Sequence, residues 1–194
     1  MERCSWCGSD PAYIAYHDTE WGVPERDPVR LFEGLVLESF QSGLSWRTIL
    51  AKRENFCLAF AGFDPVRIAA FDDGDIDRLL SDAGIVRHRG KIEATIANAR
   101  AWIEIEGQDG FTDFVWDVVD GVPLQPHRQG GDVPAVTPEA TTLAKRLKGR
   151  GVRFFGPTTA YAFMQAKGLV NDHVAGCFRH APLSGGSSGG AGAA

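Results

Sequence analysis

The stretch NDHVAGC sets His173 and Cys177 four residues apart near the end of the chain. Side chains at i and i+4 lie one above the other on a helix, so both reach a single metal ion. At the opposite end, MERCSWC supplies Cys4 and Cys7, and His17 follows in the same segment. Zinc takes four nitrogen and sulfur ligands in a closed tetrahedral site. A pair from each end would clip the two termini together. Cys4 with His17 is one N-terminal pair and Cys4 with Cys7 another. Buried cysteines also serve as plain small hydrophobes, and a histidine as a satisfied polar group.

Between these candidate ligands the chain is dense in rings: Trp6, Tyr13, Tyr16 and Trp21, with Trp46 after the next helix. Core packing accounts for most aromatic clusters. This segment, however, is rich in Gly, Pro, Asp and Ser, the composition of a shaped loop, and stacked rings on a loop suit a flat ligand. Glu38 falls seven residues after Leu31 and three after Leu35, on the same side of one helix. A carboxylate there needs a partner or a route to solvent, which Ser39, Gln41 and Ser42 would permit. Beside rings it would form a pocket for a planar, hydrogen-bond-donating, cationic molecule.

Helices must position these groups, because helix punctuation recurs and strand alternation does not. DPVRLFEGLVLESF opens with Asp27 as N-cap and Pro28 at the first helical position, and FDPVRIAAF repeats this at Asp64 and Pro65. Ser45 caps LSWRTILAKRENFCLAF, and Gly84 is the expected C′ glycine of DIDRLLSDAG. Ile92, Ile96, Ala99 and Ile103 form a helical stripe. TDFVWDVV and TPEATTLAKRLKGRG are two more helices, separated by a surface loop from Gly121 to Pro138. The last helical segments are expected within 157–178. The tail LSGGSSGGAGAA, from Leu183 onward, reads as flexible. The reading is an all-α chain of about eight helices, with one domain over 1–182 and a tail over 183–194.

With 194 residues, 44% of them hydrophobic, the chain can fill one core. No apolar run is long enough to cross a membrane. The N-terminus carries Glu2 and Arg3 but no apolar signal region, so the expected location is cytoplasmic. In a reducing compartment the 4 cysteines are thiols or metal ligands rather than disulfides. A net charge of −5 is not the footprint of a protein that coats nucleic acid, so a nucleic-acid function needs a local basic patch. KRLKGRGVR supplies one, with Lys145, Arg146, Lys148, Arg150 and Arg153, although such a helix end is also a common solvated face.

The segment after it, RGVRFFGPTTAYAFMQAKGLVNDHV, resembles the helix-hairpin-helix element of base-excision DNA glycosylases, in which hairpin amides hold a DNA phosphate. Further stretches, DPAYIAYHDTEWGVPERD, LVLESFQSGLSW, DAGIVRHRGKIEATIANARA and YAFMQAKGLVNDHVAGC, agree in order and spacing. Over roughly residues 1–178 the chain resembles the bacterial type I 3-methyladenine DNA glycosylases, departing mainly over 121–136 and the tail.

The resemblance implies an all-α, helix-hairpin-helix glycosylase-like bundle with a structural Zn2+ joining the terminal segments through Cys4, His17, His173 and Cys177. Cys7 is a departure that keeps the Cys4/Cys7 alternative open. It implies catalytic roles for Glu38 and Tyr16, and a base pocket of Trp46, Tyr13, Trp6 and Trp21. It also implies DNA contacts at Leu44, Gly156, Arg153 and Thr158, with Leu44 filling the gap left by an extruded nucleotide. The implied activity is release of 3-methyladenine from double-stranded alkylated DNA by a monomer. Relatives with an assisting Asp place it where Asn171 stands here, with Asp172 beside it. Lyase-competent relatives carry a Lys where this chain has Thr158, so no Schiff base forms there and the enzyme is expected to be monofunctional. Two other classes stay open: a non-catalytic helix-hairpin-helix DNA-binding module, and a zinc-stabilised protein that binds a small purine or peptide.

Overall fold

The computed structural model describes residues 1–126, 128 and 133–184. Its helices are α1 (Pro11–Thr19), α2 (Pro28–Gln41), α3 (Trp46–Ala59), α4 (Pro65–Ala69), α5 (Asp73–Ser81), α6 (Arg89–Gln108), α7 (Phe111–Trp116), α8 (Pro138–Gly149), α9 (Pro157–Ala166) and α10 (His180–Ser184). Among the described residues there is no strand, only isolated bridges joining Leu124 to Val170 and Arg128 to Val174. The all-α expectation is met, and no described helix is long and apolar enough to cross a membrane.

Capping chemistry sets where the helices begin. The carboxylates of Asp10, Asp27 and Asp64 each accept from the amides two and three residues on, with Pro at the first turn. Each such cap contributes about 1 kcal/mol. Asp10 starts α1 by the same device that the sequence displays at Asp27 and Asp64. Ser45 caps α3 through the Thr48 amide at 3.2 Å.

The α2 helix is the central strut, packed against α3, α6, α7 and α9. Leu31, Phe32, Leu35, Val36 and Phe40 are buried on it, and Glu38 is only 4% exposed. The α8 and α9 helices pack together across the turn that joins them. Gly168, just after α9, has φ +71°, and a Cβ there would lie 2.4 Å from the Val23 and Pro24 backbone. Only glycine permits that approach. It lets Gly22 N donate to Gln165 O (3.1 Å) and Glu25 N to Lys167 O (3.1 Å). The aromatic segment of α1 is thereby seated against the end of α9.

Four expectations change. The α5 helix ends at Ser81 with Asp82 as C-cap, so Gly84 is not its C′ glycine. Ile103 is 39% exposed, and the buried stripe of α6 runs instead through Ile92, Ile96, Ala99, Trp102 and Ile105. Leu183 and Ser184 belong to α10 rather than a tail, and the expected tail from 185 to 194 lies outside the described residues. Finally, His173 and Cys177 are not on a helix: 171–179 is extended chain and turns, with Val174 in a bridge. Their convergence comes from a turn in which Cys177 N donates to Val174 O at 2.8 Å.

Candidate metal centre and aromatic cavity

Cys4, His17, His173 and Cys177 are all buried, with their ligand atoms within 4.8 Å of one another. Cys4 Sγ lies 3.6 Å from His173 Nδ1, and Cys177 Sγ lies 3.4 Å from His173 Nδ1 and 3.5 Å from His17 Nε2. The edge of a tetrahedron built on zinc–ligand bonds of about 2.0–2.3 Å is about 3.3–3.8 Å, so the donor set fits such an ion. The far ring nitrogens are oriented by neighbours, as metal-ligating histidines require. His17 Nδ1 pairs with Asp18 Oδ1 at 2.8 Å, and His173 Nε2 donates to Trp21 O at 3.0 Å. Asp18 is in turn gripped by Arg3 at 2.8 Å, which holds its carboxyl down at about 2. Burial pushes the Cys4 thiol up to about 12 and the His173 imidazole down to about 4. Buried thiols of this kind become ligands only when a cation stabilises the thiolate. Cys7 is turned away from the cluster and donates its Sγ–H to Cys4 O at 3.1 Å.

The clipped termini wall a cavity of about 410 Å³. Trp6, Tyr13, Tyr16, Trp21, Glu38 and Trp46 all line it, although they come from four separate segments. Trp6 is the hub, with its ring 5.1 Å edge-on to Tyr13 and 4.9 Å edge-on to Trp21. Trp46 faces Tyr16 at 5.4 Å from α3. Glu38 projects from α2 with no hydrogen bond or ion pair among the described residues, and burial pushes its carboxyl up to about 8. Burial first, and Glu38 second, push the Tyr16 phenol upward. Trp46 Nε1 is buried with no acceptor. A planar ligand would find aromatic faces, an acceptor at Glu38 and a donor at Trp46.

Gln165 lines the same cavity and is not among the residues that the sequence points to; Gln41, read there only as a route to solvent for Glu38, and Asp172, read there only as the neighbour of Asn171, line it as well. For Gln165 the available signal was a lone amide inside the apolar run YAFMQA. Asp172 accepts from Arg128 Nε (2.9 Å), from Gln165 Nε2 (2.9 Å) and from the Tyr161 hydroxyl. Its carboxylate thus ties Arg128 to α9. Asn171 Nδ2 donates to Gln125, Ser184 and the His180 carbonyl, and Asn171 does not line the cavity.

The expected DNA-contacting residues occupy two edges. Leu44 is 41% exposed at the tip of the turn between α2 and α3. Leu44 N donates to Gln41 O (2.7 Å), and Gln41 Nε2 donates back to Leu44 O (2.9 Å). Lys91 of α6 fixes the base of that turn by donating to Phe40 O (2.9 Å) and Ser42 O (2.7 Å). At the other edge, Asn98 clamps Arg153, accepting from its amide at 2.7 Å and donating to its carbonyl at 3.1 Å. Gly156 caps α9 without a side chain, and Thr158 is exposed in the first turn. Their amides form the kind of open helix N-terminus that receives an anion. The basic cluster is smaller than its sequence indicates. Arg146 pairs with Asp117 (2.6 Å) and Arg150 with Asp109 (2.5 Å), both against the Phe114 ring.

Known proteins can be set beside this geometry. The family model for methyladenine glycosylases matches residues 6–180. DNA-3-methyladenine glycosylase 1 of Escherichia coli (strain K12) is 54% identical over 180 residues, spanning 91% of this chain and 96% of that protein. The crystal structure of a 3-methyladenine DNA glycosylase I superimposes with a TM-score of 0.91 at 55% identity, covering 92% of this chain and 100% of that one. A structure addressing 3-methyladenine recognition by the Staphylococcus aureus 3-methyladenine DNA glycosylase I gives a TM-score of 0.88 at 40% identity, covering 91% and 95%.

Proposed function

Because the chain belongs to the methyladenine glycosylase family, we propose that it flips 3-methyladenine out of double-stranded alkylated DNA and releases it by hydrolysis of the glycosidic bond. The observation that carries this reading is the cavity lined by the buried, unpaired Glu38 carboxyl together with the rings of Trp6, Tyr13, Tyr16, Trp21 and Trp46. Alkylation at N3 puts a positive charge on the base while it is bonded to the sugar. The bond is then weak, and leaving-group protonation is unnecessary. The protein has to extrude the base, recognise it and stabilise the departing state.

Glu38 accepts from the adenine edge with Tyr16 beside it, and Trp46 stacks on the ring with Tyr13, Trp6 and Trp21 completing the enclosure. A cationic ring over these faces gains cation–π stabilisation that neutral adenine lacks. Leu44 fills the gap in the duplex, and the α9 N-terminus at Gly156 and Thr158, with Arg153, holds a backbone phosphate. Thr158 offers no amine, so the protein acts as a monofunctional hydrolase. Asp172, holding donors from Arg128, Tyr161 and Gln165, braces the pocket. Cys4, His17, His173 and Cys177 hold one structural zinc, whose closed ligand set leaves no position for a reactive water.

Incubation of the zinc-loaded protein with methylated DNA, followed by chromatography of released bases, tests the reading. Free 3-methyladenine in large excess over 7-methylguanine is expected, since the latter presents a different edge to Glu38. DNA affinity without any released base would instead establish a non-catalytic binding module.

A further inference from the structure

Behind Glu38 lies a second cavity, of about 320 Å³, divided from the aromatic one by the side chains of Tyr16, Glu38 and Trp46. Most of its charges are matched. Arg53 pairs with Glu20 (2.6 Å) and Glu33 (2.7 Å), and Arg30 pairs with Glu25 (3.1 Å). Two ionisable side chains of opposite kind, Glu38 and Lys167, have no hydrogen-bonded or ion-paired partner among the described residues, and both line this cavity; burial pulls the Lys167 ammonium down, and the carboxylates of Glu33, Glu25 and Glu20 act against that from the matched pairs.

Lys167 enters the cavity through a notch in α2. A Cβ at Gly34 would lie 2.2 Å from Lys167 Cε and 3.3 Å from its Cγ and Cδ, so the lysine stem occupies the space that a side chain at 34 would take. Gly34 is buried in the middle of a helix, where glycine is unfavourable relative to alanine. Other charged groups around Glu38 are committed elsewhere. Lys91 of α6 is bound to the Phe40 and Ser42 carbonyls, Arg47 of α3 lies over Tyr13 and near Asp10, and Asp172 is held by Arg128. Tyr13 and Tyr16 of α1 face Glu38 as neutral phenols whose ionisation burial opposes. Lys167 is the charged side chain that acts to favour the Glu38 carboxylate against the cost of burial.

We propose that Lys167, housed in the notch left by Gly34, is a positioning residue that supplies the counter-charge for Glu38 from behind the base pocket. It touches neither the base nor DNA. Its ammonium determines how readily Glu38 becomes the carboxylate that accepts from the alkylated base, and so sets the pH range of base recognition. The inference rests on the reading that Glu38 receives the base.

The test measures affinity for free 3-methyladenine from about pH 5 to about pH 9 on the zinc-loaded wild type, Lys167→Met, Lys167→Arg, Gly34→Ala, Glu38→Gln and the Glu38→Gln/Lys167→Met double variant. An opposite charge nearby commonly lowers a carboxyl by about one unit or more. Lys167→Met is therefore expected to move the rising limb of binding up by about one pH unit, lowering affinity near neutrality by up to about tenfold and restoring it at higher pH. Lys167→Arg should retain the wild-type limb. Gly34→Ala, which favours the helix but displaces the lysine stem, should move the limb in the same direction as Lys167→Met. In the Glu38→Gln background, Lys167→Met should change nothing. A Lys167→Met curve that overlays the wild type, or that is weaker by one factor at every pH, overturns the proposal. Equal binding by wild type and Glu38→Gln removes Glu38 from the site, and this inference falls with the functional reading. A Glu38→Gln defect accompanied by an unmoved Lys167→Met limb overturns the role of Lys167 alone.

Discussion

Cys177 Sγ lies 3.5 Å from His17 Nε2 although the two residues are 160 positions apart in the chain. With Cys4 and His173 they join the segment that carries Trp6 and Tyr16 to the segment that carries Asp172. The cluster and the pocket are built from the same two segments.

Removal of the metal is therefore expected to loosen the pocket as well as the fold. Structural zinc contributes about 10–16 kcal/mol of apparent binding in small domains. Loss of even about 3 kcal/mol would lower Tm by roughly 6–12 °C in a chain of this size. Metal analysis should return one zinc per chain, and Cys4→Ser or Cys177→Ser should lose it and melt early. Cys7→Ser should retain zinc. A Cys7→Ser protein that lacks zinc while Cys4→Ser keeps it would overturn the ligand assignment.

Glu38→Gln tests the pocket. The variant keeps the size of the side chain but removes its capacity to ionise against a bound base and replaces one oxygen by an amide donor. Hydrogen bonds to charged groups contribute about 1.5–3 kcal/mol, so affinity for free 3-methyladenine is expected to fall roughly 10- to 100-fold. Affinity for undamaged DNA, proposed to rest on separate phosphate contacts near Gly156, should hold. Calorimetric titration with the free base decides it, and unchanged affinity would take Glu38 out of the site.

The same variant should alter the response of stability to pH. Burial holds the Glu38 carboxyl at about 8, against 4.5 for an exposed glutamate. The folded state thus retains a proton that the unfolded chain releases, and the stability this contributes is complete below about 4.5 and lost as pH rises through about 8. Relative to wild type, Glu38→Gln should therefore gain in Tm across that window and level off above it. Parallel Tm curves for the two proteins would show that Glu38 is solvated.

Much of this was legible in the residues, and the remainder has physical causes. Asp-Pro pairs mark helix starts because cap and ring act locally, within a few residues. Glu38 stood out because its period places it on the buried side of α2. The i, i+4 spacing of His173 and Cys177 led to the right atoms through the wrong backbone, since a turn brings them together as well as a helix does. The basic cluster was overcounted because Arg146 and Arg150 meet Asp117 and Asp109, partners supplied by tertiary packing. Lys167 was invisible for the same reason: the notch that receives it belongs to Gly34, far away in sequence.

Leu44 provides the clearest separation of recognition from extrusion. It is exposed, and its turn is pinned by Gln41 and by Lys91. An apolar side chain held this way can enter a base stack without first being ordered, which leaves more of its burial available to offset unstacking. Burying a leucine contributes about 1.5–3 kcal/mol. Leu44→Ala is therefore expected to slow release of 3-methyladenine from duplex DNA by roughly 10- to 100-fold. Fold stability should move by less than about 0.5 kcal/mol, as for other exposed positions. Affinity for the free base should be unchanged, because Leu44 does not line the cavity. Lys91→Met leaves Leu44 in place but deprives the buried Phe40 carbonyl and the Ser42 carbonyl of their donor, so it should reproduce part of the duplex defect together with a loss of Tm. Single-turnover release from duplex DNA, with free-base titration alongside, checks both variants. Equal rates for Leu44→Ala and wild type on duplex DNA would show that this turn takes no part in extruding the base.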